Sequence, residues 1–221
     1  MESLINLIIV FALGFGISFA GSIPPAGVNL TAIRISMEQG KIPALWFSFG
    51  AIIIEGMLCF VALRFASFIA SHQEIDFWIK WIAVPVFLIM GIATLWHASD
   101  KPTGVEVKSI KKNHWWKTNF TYGMFLCGIN PMQIPFWLVW GTYFYSKGWL
   151  PYDLVSTLAF VIGSITGTYL LLYLFIEYAA KVLSGILKGS LSGKRLIGYV
   201  FVGLGLLQLG QNLWDLFIQP Q

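Results

Sequence analysis

Glu55 is the residue of this chain best placed to do chemistry. It is the sole charge between Ile42 and Leu63 and lies near the middle of that apolar run. A carboxylate buried at membrane depth costs several kcal/mol unless it is protonated, paired or hydrated. A carboxyl group there that exchanges a proton with an aqueous cavity can carry a coupling proton. Read as structure alone, it is a protonated acid bonding a neighbouring helix.

A second set of candidates gathers around prolines. Asn29 and Thr31 follow Gly21-Ser22-Ile23-Pro24-Pro25-Ala26-Gly27-Val28. Asn130 and Gln133 sit within Gly128-Ile129-Asn130-Pro131-Met132-Gln133-Ile134-Pro135. Proline has no N–H, and its ring clashes with the carbonyl four residues back. Pro24, Pro25 and Pro131 are therefore expected to interrupt their helices. Backbone groups freed inside a membrane need partners from protein or from water in a cavity. A half-helix beginning after Pro24-Pro25 would turn unpaired N–H groups and a positive dipole end towards an anion such as a substrate carboxylate. The expected binding residues are Pro24, Pro25, Gly27, Asn29, Thr31, Asn130, Pro131 and Gln133, with Glu55 for proton coupling. As plain structure, the four polar side chains are interhelical hydrogen-bonding groups.

Other chemistry finds little support. Cys59 stands one helical turn after Glu55, and the chain's second cysteine is Cys127. No His joins them, and their spacing supports neither a metal site nor a disulfide framework. No nucleophile–base set or HExxH-like pattern is present, so an enzyme is not expected, and no cofactor is called for. The net charge of +4 is no nucleic-acid signature, because its distribution follows the loops of a membrane protein.

Composition supplies the elements that must hold these residues. Of 221 residues, 57% are hydrophobic and 11% charged, with a mean hydropathy of +0.74. A soluble domain carries about 25% charged residues, so this is an integral membrane protein. A span needs about 20 apolar residues to cross roughly 30 Å of hydrocarbon. Six candidates fit: about Leu4 towards Met37, Ile42 to Leu63, Phe77 to Trp96, about Thr118 to Tyr145, Leu150 to Ile176, and Leu196 to Phe217. The first covers 34 residues, about 51 Å as a straight helix, and must tilt, break or re-enter. Neither a basic leader nor an A-x-A-like cleavage site is present, and a removable signal peptide is not expected.

Lys and Arg set the orientation. Arg34, Lys41, Lys101, Lys108, Lys111, Lys112, Lys117, Lys181, Lys188, Lys194 and Arg195 follow spans one, three and five; the opposite side has Arg64, Lys80 and Lys147. The positive-inside rule then places both termini on the non-cytoplasmic face. Trp46, Trp78, Trp81, Trp96, Trp149 and Trp214 lie near span ends, as interfacial aromatics do. Gly163 and Gly167, with Ser164 and Thr168, form a small-residue face for close packing, and Gly203 and Gly210 are expected to serve similarly. Glu177 and Lys181 are spaced as an i,i+4 pair.

The chain also repeats itself. G-x-x-P occurs at Gly21 and at Gly128, 107 residues later, and each motif is followed by a glycine (Gly40, Gly148) and a proline (Pro43, Pro151). Three spans are an odd number, so two such units insert in opposite orientations, a recurring plan in secondary transporters. The expected organisation is a first three-span repeat over 1–99, a basic cytoplasmic loop over 100–117 and a second repeat over 118–221. The fold class is an all-α membrane protein of six transmembrane helices in two inverted repeats, with Pro interrupting the first and fourth.

The stretch from Gly21 through Pro24-Pro25 to Asn29-Leu30-Thr31, then Gly40, resembles the lysine exporter (LysE) family, as does Asn130-Pro131. Ile54-Glu55 in span two looks like a branch of the same family. The resemblance covers essentially the whole chain. Ala26 stands where the family often has Gly, and Met132 where many members have Lys. The resemblance implies a secondary exporter of amino acids or related small metabolites, driven by protons, in a bacterial cytoplasmic membrane. Its partners would be a small-molecule substrate, protons and the bilayer, with no nucleic acid; small exporters often pair, so a homodimer is compatible. Two alternatives stand beside it, a divalent-cation exporter of related ancestry and a non-transporting scaffold or assembly factor.

Overall fold

The computed structural model describes residues 2–23, 27–71, 115–181 and 193–218, with parts of 77–96. The described elements are helices: α1 (Glu2–Ser22), α2 (Gly27–Gln39), α3 (Lys41–Ala70), α4 (Trp115–Gly128), α5 (Gln133–Ser146), α6 (Leu154–Glu177) and α7 (Gly193–Ile218). The residues described between 77 and 96 are helical as well. Among the described residues three helices are long and apolar enough to cross a membrane, over Leu4–Ser22, Lys41–Ala70 and Leu154–Glu177. Their outward surfaces carry side chains such as Ile8 (59% exposed) and Phe65 (63%), which lipid solvates and water would not. Among the described residues the fold is all-helical, with the surface of a membrane protein.

The chain divides into two compact units: Met1–Ser67 with Thr103–Lys188, and Phe68–Pro102 with Gly189–Gln221. The first unit therefore draws helices from both sides of the basic segment 100–117. Its core gathers Ala32 and Ile35 of α2, Ala44, Phe47 and Ile52 of α3, and Leu172 and Ile176 of α6.

Glycine sets how closely the helices of this unit approach. A Cβ on Gly163 or Gly167 of α6 would meet the main chain of Phe11 or Phe15 in α1, and one on Gly14 would meet the Phe160 carbonyl. The same reciprocity joins α3 and α4, where Gly50 lies on the Phe120 carbonyl and Gly123 on that of Phe47. Each crossing is thus made by a matched pair of F-x-x-G segments, Phe11–Gly14 with Phe160–Gly163 and Phe47–Gly50 with Phe120–Gly123. Residue pairs advance together along both chains at each crossing (11 with 163 and 15 with 167; 50 with 120 and 54 with 128), so both helix pairs run parallel.

In the second unit Gly91 packs against Val202, Leu95 against Gly198 and Leu88 against Gly205, an antiparallel pairing. Phe87 and Phe201 meet nearby at a tilt of 33°, with centroids 5.9 Å apart. A Cβ on Gly203 or Gly210 would meet no atom of the described residues within 4 Å, so among those residues they do not serve close packing as expected. The face of α7 turned to its partner in this unit carries Gly198, Val202 and Gly205 instead.

Two further glycines stop helices. Gly40 (φ 100°) follows α2 and Gly148 (φ 69°) follows α5, in the left-handed region that a residue with a Cβ enters only at a cost. They are the glycines that follow the two proline motifs.

Candidate functional site

Glu55 sits midway along α3, and its residue is 5% exposed. Oε1 lies at hydrogen-bonding distance from Thr168 Oγ1 of α6, 2.7 Å, and from Ser18 Oγ of α1, 3.1 Å. The two hydroxyls are themselves 2.5 Å apart, and Ser22 Oγ lies 3.4 Å from Thr168 Oγ1. The α1–α6 crossing is what makes this possible, because only glycine lets two helices come near enough for short hydroxyl side chains to touch across the seam. Ser18 and Thr168 are 1% and 4% exposed. Cys59 Sγ, one turn along α3, accepts from Ser164 Oγ at 3.7 Å, and the Cys127 thiol of α4 lies near Glu55. Both cysteines are free and buried.

The residues around Glu55 occupy matching places on the crossings. Ser18 and Cys127 each stand seven residues after the phenylalanine of their F-x-x-G segment, Glu55 and Thr168 each eight after theirs. Four helices thus deliver one side chain each to one level of the bundle.

Two of the proline-flanking residues, Asn29 and Gln133, connect to this centre through single intermediates. Asn29 Nδ2, at the start of α2, donates to the Ser22 carbonyl at 2.6 Å, and Ser22 in turn adjoins Thr168. Gln133 Nε2, at the start of α5, donates to Cys127 Sγ at 3.7 Å. Thr31 Oγ1 donates to the Gly27 carbonyl one turn back, at 2.7 Å. Asn130 Oδ1 accepts the Met132 N–H at 3.1 Å in the turn around Pro131, between α4 and α5. The Asn130 and Gln133 amides there donate to the carbonyls of Cys127 and Asn130, so the non-helical stretch keeps its donors partnered. The two motif regions also meet: a Cβ on Gly21 would stand 2.7 Å from the Phe136 ring, just past Pro135. Pro24 and Pro25 lie outside the described residues, as do His97 and the basic segment 101–114. Glu177 pairs with Lys41 at 2.7 Å, and Lys181 lies 6.0 Å over the Tyr178 ring.

Ser18 escaped the sequence reading, and Thr168 entered it only as part of a packing face. Both leave a signal. Ser18 and Ser22 are four apart in α1, as are Ser164 and Thr168 in α6, so each pair forms a hydroxyl stripe on one helix face.

The family model of the LysE type translocator matches residues 19–212. The chain belongs to the LysE type translocator family. The match spans both proline motifs, Glu55, Cys127 and Thr168, and stops short only of most of α1 and the last residues. No curated protein and no solved structure matches the chain. Membership makes the protein a membrane-spanning transporter, of a family that exports amino acids or related substances, and not an enzyme family. Groups of three or more His, Cys, Asp or Glu able to hold a metal ion are absent among the described residues.

Proposed function

We propose that this LysE type translocator is a proton-coupled secondary exporter of amino acids or related small metabolites, working by alternating access in the cytoplasmic membrane. The observation that carries the coupling role is Glu55, a carboxyl buried in mid-span on hydroxyls of two other helices. A hydroxyl can donate or accept, so Thr168 can donate to an ionised carboxyl or accept from a protonated one.

The mechanism rests on six spans arranged as two inverted repeats with Pro-broken first and fourth members. Three correspondences support it: the paired F-x-x-G crossings, the positive-φ glycines that end α2 and α5, and Asn130-Pro131 lying where helix stops between α4 and α5. The substrate site lies between the two motif regions. Asn29, Thr31, Asn130 and Gln133, with the backbone at Pro24, Pro25, Gly27 and Pro131, contact the substrate when it replaces their present local partners. Buried polar atoms at Asn119 Oδ1, the Tyr122 hydroxyl and Trp137 Nε1, which have no hydrogen-bond partner among the described residues, suit a polar path through the bundle, since such groups are normally satisfied. The basic loops face the cytoplasm and both termini the other side.

Uptake of pooled labelled amino acids into proteoliposomes under an imposed pH gradient tests this reading. Gradient-driven flux that Glu55→Gln reduces at least tenfold, with folding retained, is the expected outcome. Undiminished pH-driven flux in Glu55→Gln would remove the coupling role. Absence of flux for every pool would remove the amino-acid reading.

A further inference from the structure

We propose that Glu55 carries its proton in this conformation, and that Ser18 and Thr168 are positioning residues that hold the protonated carboxyl in a closed ring of hydrogen bonds. The proposal deepens the reading of Glu55 as the coupling residue and rests on it for its place in transport.

Glu55 Oε1, Thr168 Oγ1 and Ser18 Oγ form a triangle with sides of 2.7, 2.5 and 3.1 Å. Each side is a hydrogen-bonding distance and takes one hydrogen. The two hydroxyls supply one each. With an ionised carboxylate both hydroxyls donate to Oε1. The 2.5 Å side then sets two hydroxyl oxygens against each other with no hydrogen between them. A third proton on Oε1 completes every side. The carboxyl O–H donates to Thr168, Thr168 donates to Ser18, and Ser18 donates back to Oε1.

The surroundings favour the same count. Cys59 faces Glu55 from α3 and Cys127 from α4. The neighbours from α1 and α6 are hydroxyls, Ser18, Ser22 and Thr168. Among the described residues these neighbours include no cation to offset a carboxylate. The ion pairs described, Arg34–Glu38 and Lys41–Glu177, lie at exposed helix ends. An uncompensated buried charge is far costlier than a neutral acid with its hydrogen bonds made.

Infrared spectra of the 221-residue chain in lipid at neutral pH, in H2O and D2O, test this directly. The expected result is a protonated-carboxyl C=O band that shifts on deuteration and is lost in Glu55→Gln. Thr168→Val should move the band to higher frequency, as loss of a hydrogen bond does, and Thr168→Ser should return it. Wild-type protein that melts cooperatively yet lacks such a band overturns the proposal. A band indifferent to Thr168→Val overturns the positioning role. The flux assay fails independently: a ring band without gradient-driven flux leaves the protonated carboxyl standing and removes the coupling.

Discussion

The α1–α6 and α3–α4 crossings use one packing device for different contents. In both, two F-x-x-G segments press glycine against the main-chain carbonyl of the facing phenylalanine, and both helix pairs run parallel. At the same register beyond the phenylalanines, the first crossing carries Ser18 and Thr168, and the second carries Cys127 and Glu55. Packing is duplicated while chemistry is not. A carboxyl on one side of a near-symmetric arrangement, with hydroxyls opposite, makes a centre whose halves differ only in what they can do with a proton.

Breaking either crossing should give the largest effect on stability. Gly163→Ala and Gly123→Ala place a methyl group on a carbonyl of the facing helix, and each should cost about 1–3 kcal/mol or more. Gly203→Ala, which meets nothing, should be neutral or stabilising by up to about 1 kcal/mol. Thermal unfolding in detergent measures all three. A large cost at one crossing alone would show that the two are not equivalent.

Substitutions at the shared level sharpen the contrast in contents. Thr168→Val strands its partners and should cost about 1–3 kcal/mol. Cys127→Ser keeps a donor and acceptor of similar size, and should stay within about 1 kcal/mol and leave flux intact. Equal losses would mean that the second crossing carries as much of the polar centre as the first.

The smallest effect is expected away from both crossings. Asp153 caps α6, accepting the Ser156 N–H at 2.8 Å and its hydroxyl at 2.7 Å. The Ser156 backbone N–H, and then its hydroxyl, hold the Asp153 carboxyl below the usual carboxylate range. A lowered value means the unfolded chain takes up the proton first. The cap's stabilisation is therefore complete above the ordinary carboxylate pKa and fades as pH falls through the lower folded value. Asp153→Ala should cost about 0.5–2 kcal/mol at neutral pH and flatten the acid side of the melting curve. An unchanged acid limb would remove the cap from that role.

Much of this was legible in the sequence for simple reasons. A charge inside a long apolar run is conspicuous whatever surrounds it, so Glu55 stood out. The helices followed from apolar length, and the family from motifs that span nearly the chain. Ser18 was hidden because hydroxyls are cheap in membrane helices and often bond their own backbone, as Thr166 does to Ile162. Glycine spacing shows that a helix can be approached closely without saying from which side. Gly203 and Gly210 accordingly misled, while Gly163 and Gly167 did not. The local engagement of Asn130 and Thr31 was equally out of reach, since the same residue types serve a turn, a back-bond or a ligand.

The bond from Asn29 to the Ser22 carbonyl has a mechanical meaning. It fastens the first turn of α2 to the last turn of α1, so the junction behaves as a latch and not as a free swivel. Opening it takes this bond from the Ser22 carbonyl, a loss that counts for more the less water reaches the junction. Under the function proposed above, a polar substrate that offered that carbonyl a hydrogen would lower the cost, and its arrival would be coupled to the release of the latch.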